Sequence, residues 1–206
     1  MKISYAITVC NEIEEIKKLV SFLIANKREE DEIVILYDLN GSQEVYDYID
    51  EVDKIVNIFV AKDNFTGHFA DWKYKLTLLC KGDYILQIDA DEIPNEQFIK
   101  GIPYILEINQ DIDVFRVPRV NTVEGLTPQH IQKWRWNVNE KGWVNFPDYQ
   151  WRIYKNTSSI TWKNKVHEVL EGYQSVTFLP AEEEFCLYHP KTIEKQERQN
   201  NYYDTL

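Results

Sequence analysis

Short apolar runs that alternate with helix-spaced segments limit most strongly how this chain can fold. The first run, "ISYAITV", precedes a stretch with apolar residues at helical spacing. The same order recurs through "EIVILYD" (32–38), a helix from Ser42 to about Asp50, "KIVNIFVA" (54–61), a helix over about 69–80 and "DYILQID" (83–89). Nearly continuous hydrophobicity is typical of parallel strands covered on both faces. The sequence therefore predicts an α/β fold with a mostly parallel central sheet flanked by helices.

The second half of the chain has a different pattern. A helix is predicted from about Asn95 to Ile108, followed by the strand "DVFRVPRV", whose Pro118 predicts a sheet edge. Residues 119–168 lack helical periodicity and hold five of the six tryptophans, of which we expect one or two to face a ligand. The polar segment 191–206 is compatible with a helix that packs loosely or continues into a longer chain. A length of 206 residues fits one domain.

Polar residues follow each of the predicted strands. They are Asn11 and Glu12, Asp38, Asp63 and Asn64, and Asp89 and Asp91. Ligands of open parallel sheets bind beyond the carboxyl ends of the strands. The sequence therefore predicts a binding site at this edge of the sheet.

The fourth run ends in three carboxylates, Asp89, Asp91 and Glu92. Because like charges repel, this cluster requires a partner: a divalent cation, a basic side chain or water. Two carboxylates at positions i and i+2 can converge on a hard cation, which would also hold a diphosphate. Alternatively, Asp91 and Glu92 charge the first turn of the next helix, which remains the expected role of Glu92.

Charge and cysteine content exclude some classes of protein. A net charge of −11 argues against general nucleic-acid binding. Residues 116–165 nevertheless carry nine Lys/Arg against three Asp/Glu, so this segment could meet phosphates or an anionic surface, or be a solvated face. Three widely spaced cysteines and no apparent signal peptide or membrane span indicate a cytoplasmic protein that could touch a membrane through its surface.

The quoted blocks together resemble family 2 glycosyltransferases, which have the GT-A fold. The resemblance is carried by "ITVCNEIEE", "ILYDLNGS", "FADWKYKLTLLCKGDYILQIDADE", "FPDYQWRIYKN" and "WKNKVHE". It implies a GT-A domain over 1–190, with a nucleotide-sugar half (1–94) and an acceptor half (95–190), and a helical tail (191–206). It also implies metal-dependent, inverting transfer of a sugar from a UDP-sugar or similar donor to a glycan or lipid-linked acceptor, in surface polysaccharide or glycan assembly.

The resemblance implies roles for individual residues on the donor side. The residues that would border the nucleotide pocket are Thr8, Cys10, Asn11 and Glu12. Asp38 would bind the base or ribose, and Lys73 would contact the donor. Asp89 would face ribose or metal, while Asp91 would ligate Mn²⁺ or Mg²⁺.

The chemistry of transfer requires further groups downstream. An acceptor hydroxyl needs a general base, for which Asp148 is the first choice and Glu168 the second. His167 could be a late metal ligand, since imidazole suits Mn²⁺. Arg152 could pair with the diphosphate, or hold Asp148 or Asp91 in place. The histidines without an assigned role are His68, His130 and His189.

Two other classes of function remain open. One is a non-catalytic sugar- or nucleotide-binding module of the same fold, which intact Asp89 and Asp91 argue against. The other is a metal-dependent phosphohydrolase or nucleotidyltransferase. A phosphatase of the haloacid-dehalogenase type fits poorly, because its Asp-x-Asp lies in an N-terminal strand and this one lies in mid-chain.

Overall fold

A computed structural model describes residues 1–203, so the last three residues of the predicted tail lie outside the described part. The strands are β1 (Ile3–Val9), β2 (Glu32–Asp38), β3 (Ile58–Asp63), β4 (Tyr84–Asp89), β5 (Ile93–Pro94), β6 (Val114–Glu124), β7 (Val144–Lys155), β8 (Thr161–Lys163), β9 (Val169–Glu171), β10 (Val176–Phe178) and β11 (Leu187–Thr192). The helices are α1 (Ile13–Asn26), α2 (Gln43–Val52), α3 (Phe69–Leu79), α4 (Glu96–Ile108), α5 (Pro128–Trp134) and α6 (Ile193–Tyr203).

The main sheet has the strand order β3-β2-β1-β4-β7-β6-β11-β5, with β10 also paired to β6. Strands β3, β2, β1 and β4 are all parallel, and Thr8 of β1 pairs with Asp89 of β4. Strand β7 then runs antiparallel to both β4 and β6. The predicted mostly parallel sheet is confirmed, and its strand order reverses between β1 and β4.

Helices cover both faces of this sheet, as the apolar strands predict. On one face, α1, α2 and α4 bury residues such as Leu19, Ile49 and Ile102. On the other face, α3 and the small β8–β9 sheet bury Leu76, Trp162 and Leu170. Because water is excluded from both faces, the strands have no room for the polar alternation of a half-exposed sheet. Polar groups are therefore concentrated at the strand ends.

The prediction that Pro118 marks a sheet edge is wrong. Strand β6 has β7 on one side and both β10 and β11 on the other. Pairing with β10 covers Val114 to Arg116, and pairing with β11 begins at Arg119. Pro118 falls in the gap between these partners, where its missing N–H leaves no ladder hydrogen bond unmade on that side.

Of the predicted tail, Lys191 and Thr192 still belong to β11 and Ile193–Tyr203 form helix α6, which does not pack loosely. Lys195 of α6 lies 3.2 Å from Glu15 of α1 and 3.3 Å from Asp91, so the helix is tied to the edge of the sheet where the strands end. Lys191 of β11 also donates to Gln199 of the helix. Within residues 1–203, no helix combines the length and apolar character needed to cross a membrane.

Candidate active site

A cleft of about 1050 Å³ opens at the carboxyl ends of β1, β2 and β4. It lies at the point where the strand order reverses, which is where open α/β sheets bind ligands. The sequence-predicted residues that line it are Thr8, Cys10, Asn11, Glu12, Asp38, Lys73, Asp89, Asp91, Arg152, His167 and Glu168. Within residues 1–203, Asp148 is the predicted site residue that does not line the cleft.

The turn after β1 is held in place by the side chain of Glu12, which belongs to the turn, and by the loop after β2. Glu12 Oε2 accepts hydrogen bonds of 2.9 Å from the backbone N–H groups of both Cys10 and Asn11. The Cys10 carbonyl in turn accepts from the backbone N–H of Ser42 at 3.3 Å. Gly41 lies so close that a Cβ there would be 2.1 Å from the Cys10 oxygen. Glu12 therefore shapes this wall of the cleft through the backbone.

Asp38 ends β2 and organises the neighbouring loops. Its Oδ1 accepts from the backbone N–H groups of Asn40 (3.0 Å) and Phe65 (3.1 Å), while Oδ2 lies 3.6 Å from the Cys10 thiol. Burial and the nearby Asp38 carboxylate raise the pKa of Cys10 to about 12. Cys10 therefore presents a neutral thiol to the cleft at neutral pH.

Asp89 ends β4 between two cations. Arg152 donates to Asp89 Oδ2, and Lys73 Nζ lies 3.7 Å from Oδ1. Burial alone would raise the pKa of Asp89, but the charges of Arg152 and Lys73 outweigh it and hold the pKa well below the ordinary value. Lys73 also lies 3.3 Å from Glu168, so it links α3, β4 and the loop before β9.

Glu92 does not begin the next helix, contrary to the sequence prediction. Helix α4 begins at Glu96, and Asn95 caps it through a 2.8 Å bond from the Gln97 N–H. Glu92 is fully buried and accepts from Arg152 Nη2 at 2.7 Å and Arg119 Nη1 at 3.0 Å. Glu92 is therefore the centre of a buried chain of ion pairs. An ionised carboxylate in the interior is strongly destabilising unless charged partners of this kind are present.

Asp148 lies at the far end of the same chain of charges. Its Oδ2 accepts from Arg119 Nη2 (2.7 Å) and Asn121 Nδ2 (2.8 Å), and its Oδ1 accepts from Gln150 Nε2 (2.7 Å). Burial would raise the pKa of Asp148, but Arg119 and these hydrogen bonds hold it below the ordinary value. A carboxylate so well stabilised in its ionised form is a weak proton acceptor.

The imidazole beside Asp91 is that of His189, to which the sequence assigned no role. His189 Nε2 lies 3.3 Å from Asp91 Oδ2, and Lys195 Nζ lies 3.3 Å from the same oxygen. Pairing of β11 with β5 brings these groups together, since Tyr188 pairs with Ile93 just after the carboxylate cluster. Among residues 1–203, no three His, Cys, Asp or Glu side chains converge to hold a metal by themselves.

The basic segment 116–165 is divided between the interior and the surface. Arg119 and Arg152 form buried ion pairs at the cleft, which the sequence could not distinguish from surface charge. Lys133 and Lys141 instead lie over the rings of Trp134 and Trp143 at 5.8 and 4.4 Å. Part of the apparent +6 is therefore used to neutralise the carboxylates of the site.

The tryptophans of the second half that line the cleft are Trp136, Trp151 and Trp162. Lys73 Nζ lies 5.0 Å from the ring centre of Trp162, and Arg116 lies 4.3 Å from that of Trp151. Trp162 belongs to the buried core under the cleft, and Trp151 packs against the same core.

Solved structures of known proteins share the fold of this chain. Similar solved structures include S. aureus TarS 1-349, alone, in complex with UDP-GlcNAc and in complex with UDP, with TM-scores of 0.65, 0.66 and 0.65. Each is 15% identical to this chain; the alignments cover 92%, 93% and 92% of it. The chain spans about 60% of the length of those TarS chains, with which it shares the fold. No curated protein matches the sequence.

A family model described as "Glycosyl transferase family 2" matches residues 4–171, well over half of the sequence. The matched segment includes β1 through β9 and thus the carboxylate cluster and most of the cleft. The fold and the family expected from the sequence blocks are both confirmed. This chain belongs to glycosyl transferase family 2.

Proposed function

We propose that this protein transfers a sugar from a nucleoside diphosphate sugar to an acceptor hydroxyl. One observation carries the proposal: Asp38 ends β2, Asp89 ends β4 and Asp91 follows β4, and all three line one cleft that also holds buried Lys73 and Arg152. Such a site offers acceptors for the hydroxyls of a nucleoside and positive charge for a diphosphate. Family membership and the UDP and UDP-GlcNAc complexes of TarS support a UDP-sugar as the first donor to test.

The donor would lie across the ends of β1, β2 and β4. Asp38 and the turn of Thr8, Cys10 and Asn11 form the wall nearest β2 and would border the base and ribose. Asp89, held by Arg152 and Lys73, would accept from a ribose hydroxyl. Arg152 and Lys73 already form ion pairs with carboxylates of the site. A diphosphate that enters would therefore interact with the same two cations as these carboxylates do.

A divalent cation, Mn²⁺ or Mg²⁺, fits the chemistry of Asp91 and His189. A carboxylate oxygen and an imidazole nitrogen 3.3 Å apart are donors of the kind that would hold Mn²⁺, so Asp91 and His189 would be its protein ligands. When bound, such an ion would stabilise the charge of the departing diphosphate. Lys195, which now faces Asp91, would be free to approach the same phosphates.

Glu168 is the stronger candidate for the general base. It lines the cleft, as Asp148 does not, and its ion-pair partner is Lys73 at 3.3 Å, whereas Asp148 is held by Arg119, Asn121 and Gln150. A single base of this kind fits direct displacement with inversion at the sugar. His167, which precedes it, has a left-handed backbone conformation (φ 55°) and also lines the cleft.

The acceptor would enter past the aromatic wall formed by Trp136 and Trp151. A glycan or a lipid-linked sugar fits that surface, and surface polysaccharide or glycan assembly is the corresponding process. Contact with a membrane surface and a cytoplasmic location stay predictions from the sequence.

The test is product analysis with a panel of UDP-, GDP-, ADP- and dTDP-sugars, with and without Mn²⁺. We expect release of the nucleoside diphosphate, stimulated by Mn²⁺ and by added glycan acceptors. Release of inorganic phosphate or pyrophosphate instead would indicate a phosphohydrolase or nucleotidyltransferase. Binding of nucleotide sugars without any turnover would indicate a non-catalytic module.

A further inference from the structure

Three neighbouring strands carry a hydrogen-bonded line of side chains from Asp148 through Asn121 to His189, whose Nε2 faces the Asp91 carboxylate. We propose that Asp148 and Asn121 hold His189 in the tautomer that carries its proton on Nδ1, so that Nε2 presents its lone pair beside Asp91. The role rests on the metal site proposed above, but the tautomer itself does not require any bound ion. Asp148 and Asn121 are then positioning residues that act through His189.

The sheet register explains how the line forms. Asn121 of β6 is the register partner of His189 on β11, and Arg119, two residues earlier, is the partner of Asp148 on β7. Asn121 Nδ2 donates to Asp148 Oδ2 at 2.8 Å, and its Oδ1 lies 2.7 Å from His189 Nδ1. His189 Nε2 then lies 3.3 Å from Asp91 Oδ2.

The direction of each hydrogen bond follows from Asp148. Arg119 donates to Asp148 Oδ2 through Nε (3.0 Å) and Nη2 (2.7 Å), which keeps the carboxylate ionised and able only to accept. Asn121 must therefore turn its NH₂ towards Asp148 and its carbonyl towards His189. A carbonyl oxygen at 2.7 Å requires a proton on His189 Nδ1. The other tautomer would set the Nδ1 lone pair against the Asn121 oxygen at 2.7 Å, whereas Nε2 and Asp91 Oδ2 are 3.3 Å apart and Lys195 Nζ, 3.3 Å from that oxygen, supplies a positive charge beside them.

A neutral His189 ring with its proton on Nδ1 can form a cation-binding pair with Asp91. With the proton on Nδ1, both His189 Nε2 and Asp91 Oδ2 are acceptors, and they lie together in a largely buried place. Two facing acceptors attract a positive group, which Lys195 Nζ supplies at 3.3 Å from Asp91. Groups that hydrogen-bond to the other ring nitrogen of a histidine ligand fix its tautomer, and they commonly control its affinity for metal.

The test is ¹H–¹⁵N correlation spectroscopy of the histidine rings in metal-free protein at neutral pH, with His189→Gln to assign the signals. We expect the His189 ring to be protonated on Nδ1 and unprotonated on Nε2. In Asn121→Ala we expect a shift towards the Nε2–H tautomer, and calorimetry should show Mn²⁺ affinity lower by about 10- to 100-fold. The matched control is Gln150→Leu, which removes a hydrogen bond to the other Asp148 oxygen and should change neither readout.

A ring protonated on Nε2, or on both nitrogens, in the wild-type protein would overturn the proposal. An unchanged tautomer and Mn²⁺ affinity in folded Asn121→Ala would do the same. The wild-type spectrum decides the tautomer even where a variant does not fold. If the wild-type protein binds no Mn²⁺ while His189 has the expected tautomer, the proposed metal site fails and the hydrogen-bonded line stands.

Discussion

Arg152 and Glu92 form an ion pair that is closed to solvent, with side chains 3% and 0% exposed and Nη2 2.7 Å from Oε1. The same guanidinium holds Asp89 at the end of β4. Strand β7 places it there, because its antiparallel pairing with β4 ends at Ile153 opposite Leu86. One arginine from the second half of the chain therefore fixes the carboxylates of the first half.

Removing this guanidinium should destabilise the fold strongly. In Arg152→Met, Arg119 is the one ion-pair partner that buried Glu92 keeps among residues 1–203. Breaking a buried pair from one side typically costs about 3–5 kcal/mol, and we expect a loss of that order in urea unfolding. The control Lys100→Met breaks the exposed pair with Glu96 and should change the free energy of unfolding by less than about 0.5 kcal/mol. Equal effects of the two substitutions would contradict the account.

Replacing each base candidate separates a proton acceptor from a positioning group. Glu168→Gln should lower kcat by about 10²- to 10⁴-fold while Mn²⁺ and UDP affinities stay near wild type. Asp148→Asn should instead weaken Mn²⁺ binding and recover much of its activity at saturating Mn²⁺. Steady-state kinetics over a Mn²⁺ series checks both. The reverse pattern would make Asp148 the base.

Two glycines should respond to alanine in opposite directions. Gly41→Ala forces its Cβ against the Cys10 carbonyl, so we expect lower stability and weaker UDP binding.

Gly101 lies inside α4 with nothing within 4 Å of its Cβ position. Gly101→Ala should therefore stabilise the protein by about 0.5–1 kcal/mol. Thermal unfolding with and without UDP measures both; a tolerated Gly41→Ala would mean that the β1 and β2 turns are not closely packed.

Glu32 should make stability depend on pH on the acid side. Burial would raise its pKa, but hydrogen bonds from Lys2, Ser4 and the Lys81 N–H hold it below the ordinary 4.5. A depressed folded pKa contributes stability above the unfolded value, and this is lost as pH falls through the folded one. The free energy of unfolding should therefore fall below pH 4.5 less steeply in Glu32→Gln than in wild type. Exposed Glu107→Gln should follow the wild type.

The first half of the fold was predictable because its strands are short, apolar and separated by helices with clear periodicity. The strand-end rule also predicted that Asp38 and Asp89 would meet in one cleft. Periodicity gave no sign of α5, which begins with Pro128 and is capped by Thr127 and His130. His68 likewise caps α3, so two of the three histidines without an assigned role are structural.

The rest of the site depends on long-range pairing that no local pattern encodes. His189 reaches Asp91 only because β11 pairs with both β5 and β6. Arg119 looked like one basic residue among nine, and only its contacts with Glu92 and Asp148 distinguish it. Glu92 resembled a helix start because it precedes α4 closely, although the β5 residues separate the two.

We propose above all that this cleft binds a nucleoside diphosphate through a cation held at Asp91. The most direct measurement is calorimetry of UDP binding to wild-type protein and to Asp91→Asn, each with and without Mn²⁺. We expect Mn²⁺ to strengthen UDP binding to wild-type protein by at least about tenfold and to have little effect on folded Asp91→Asn. Equal UDP affinity in both proteins with Mn²⁺ present would contradict the assignment of Asp91.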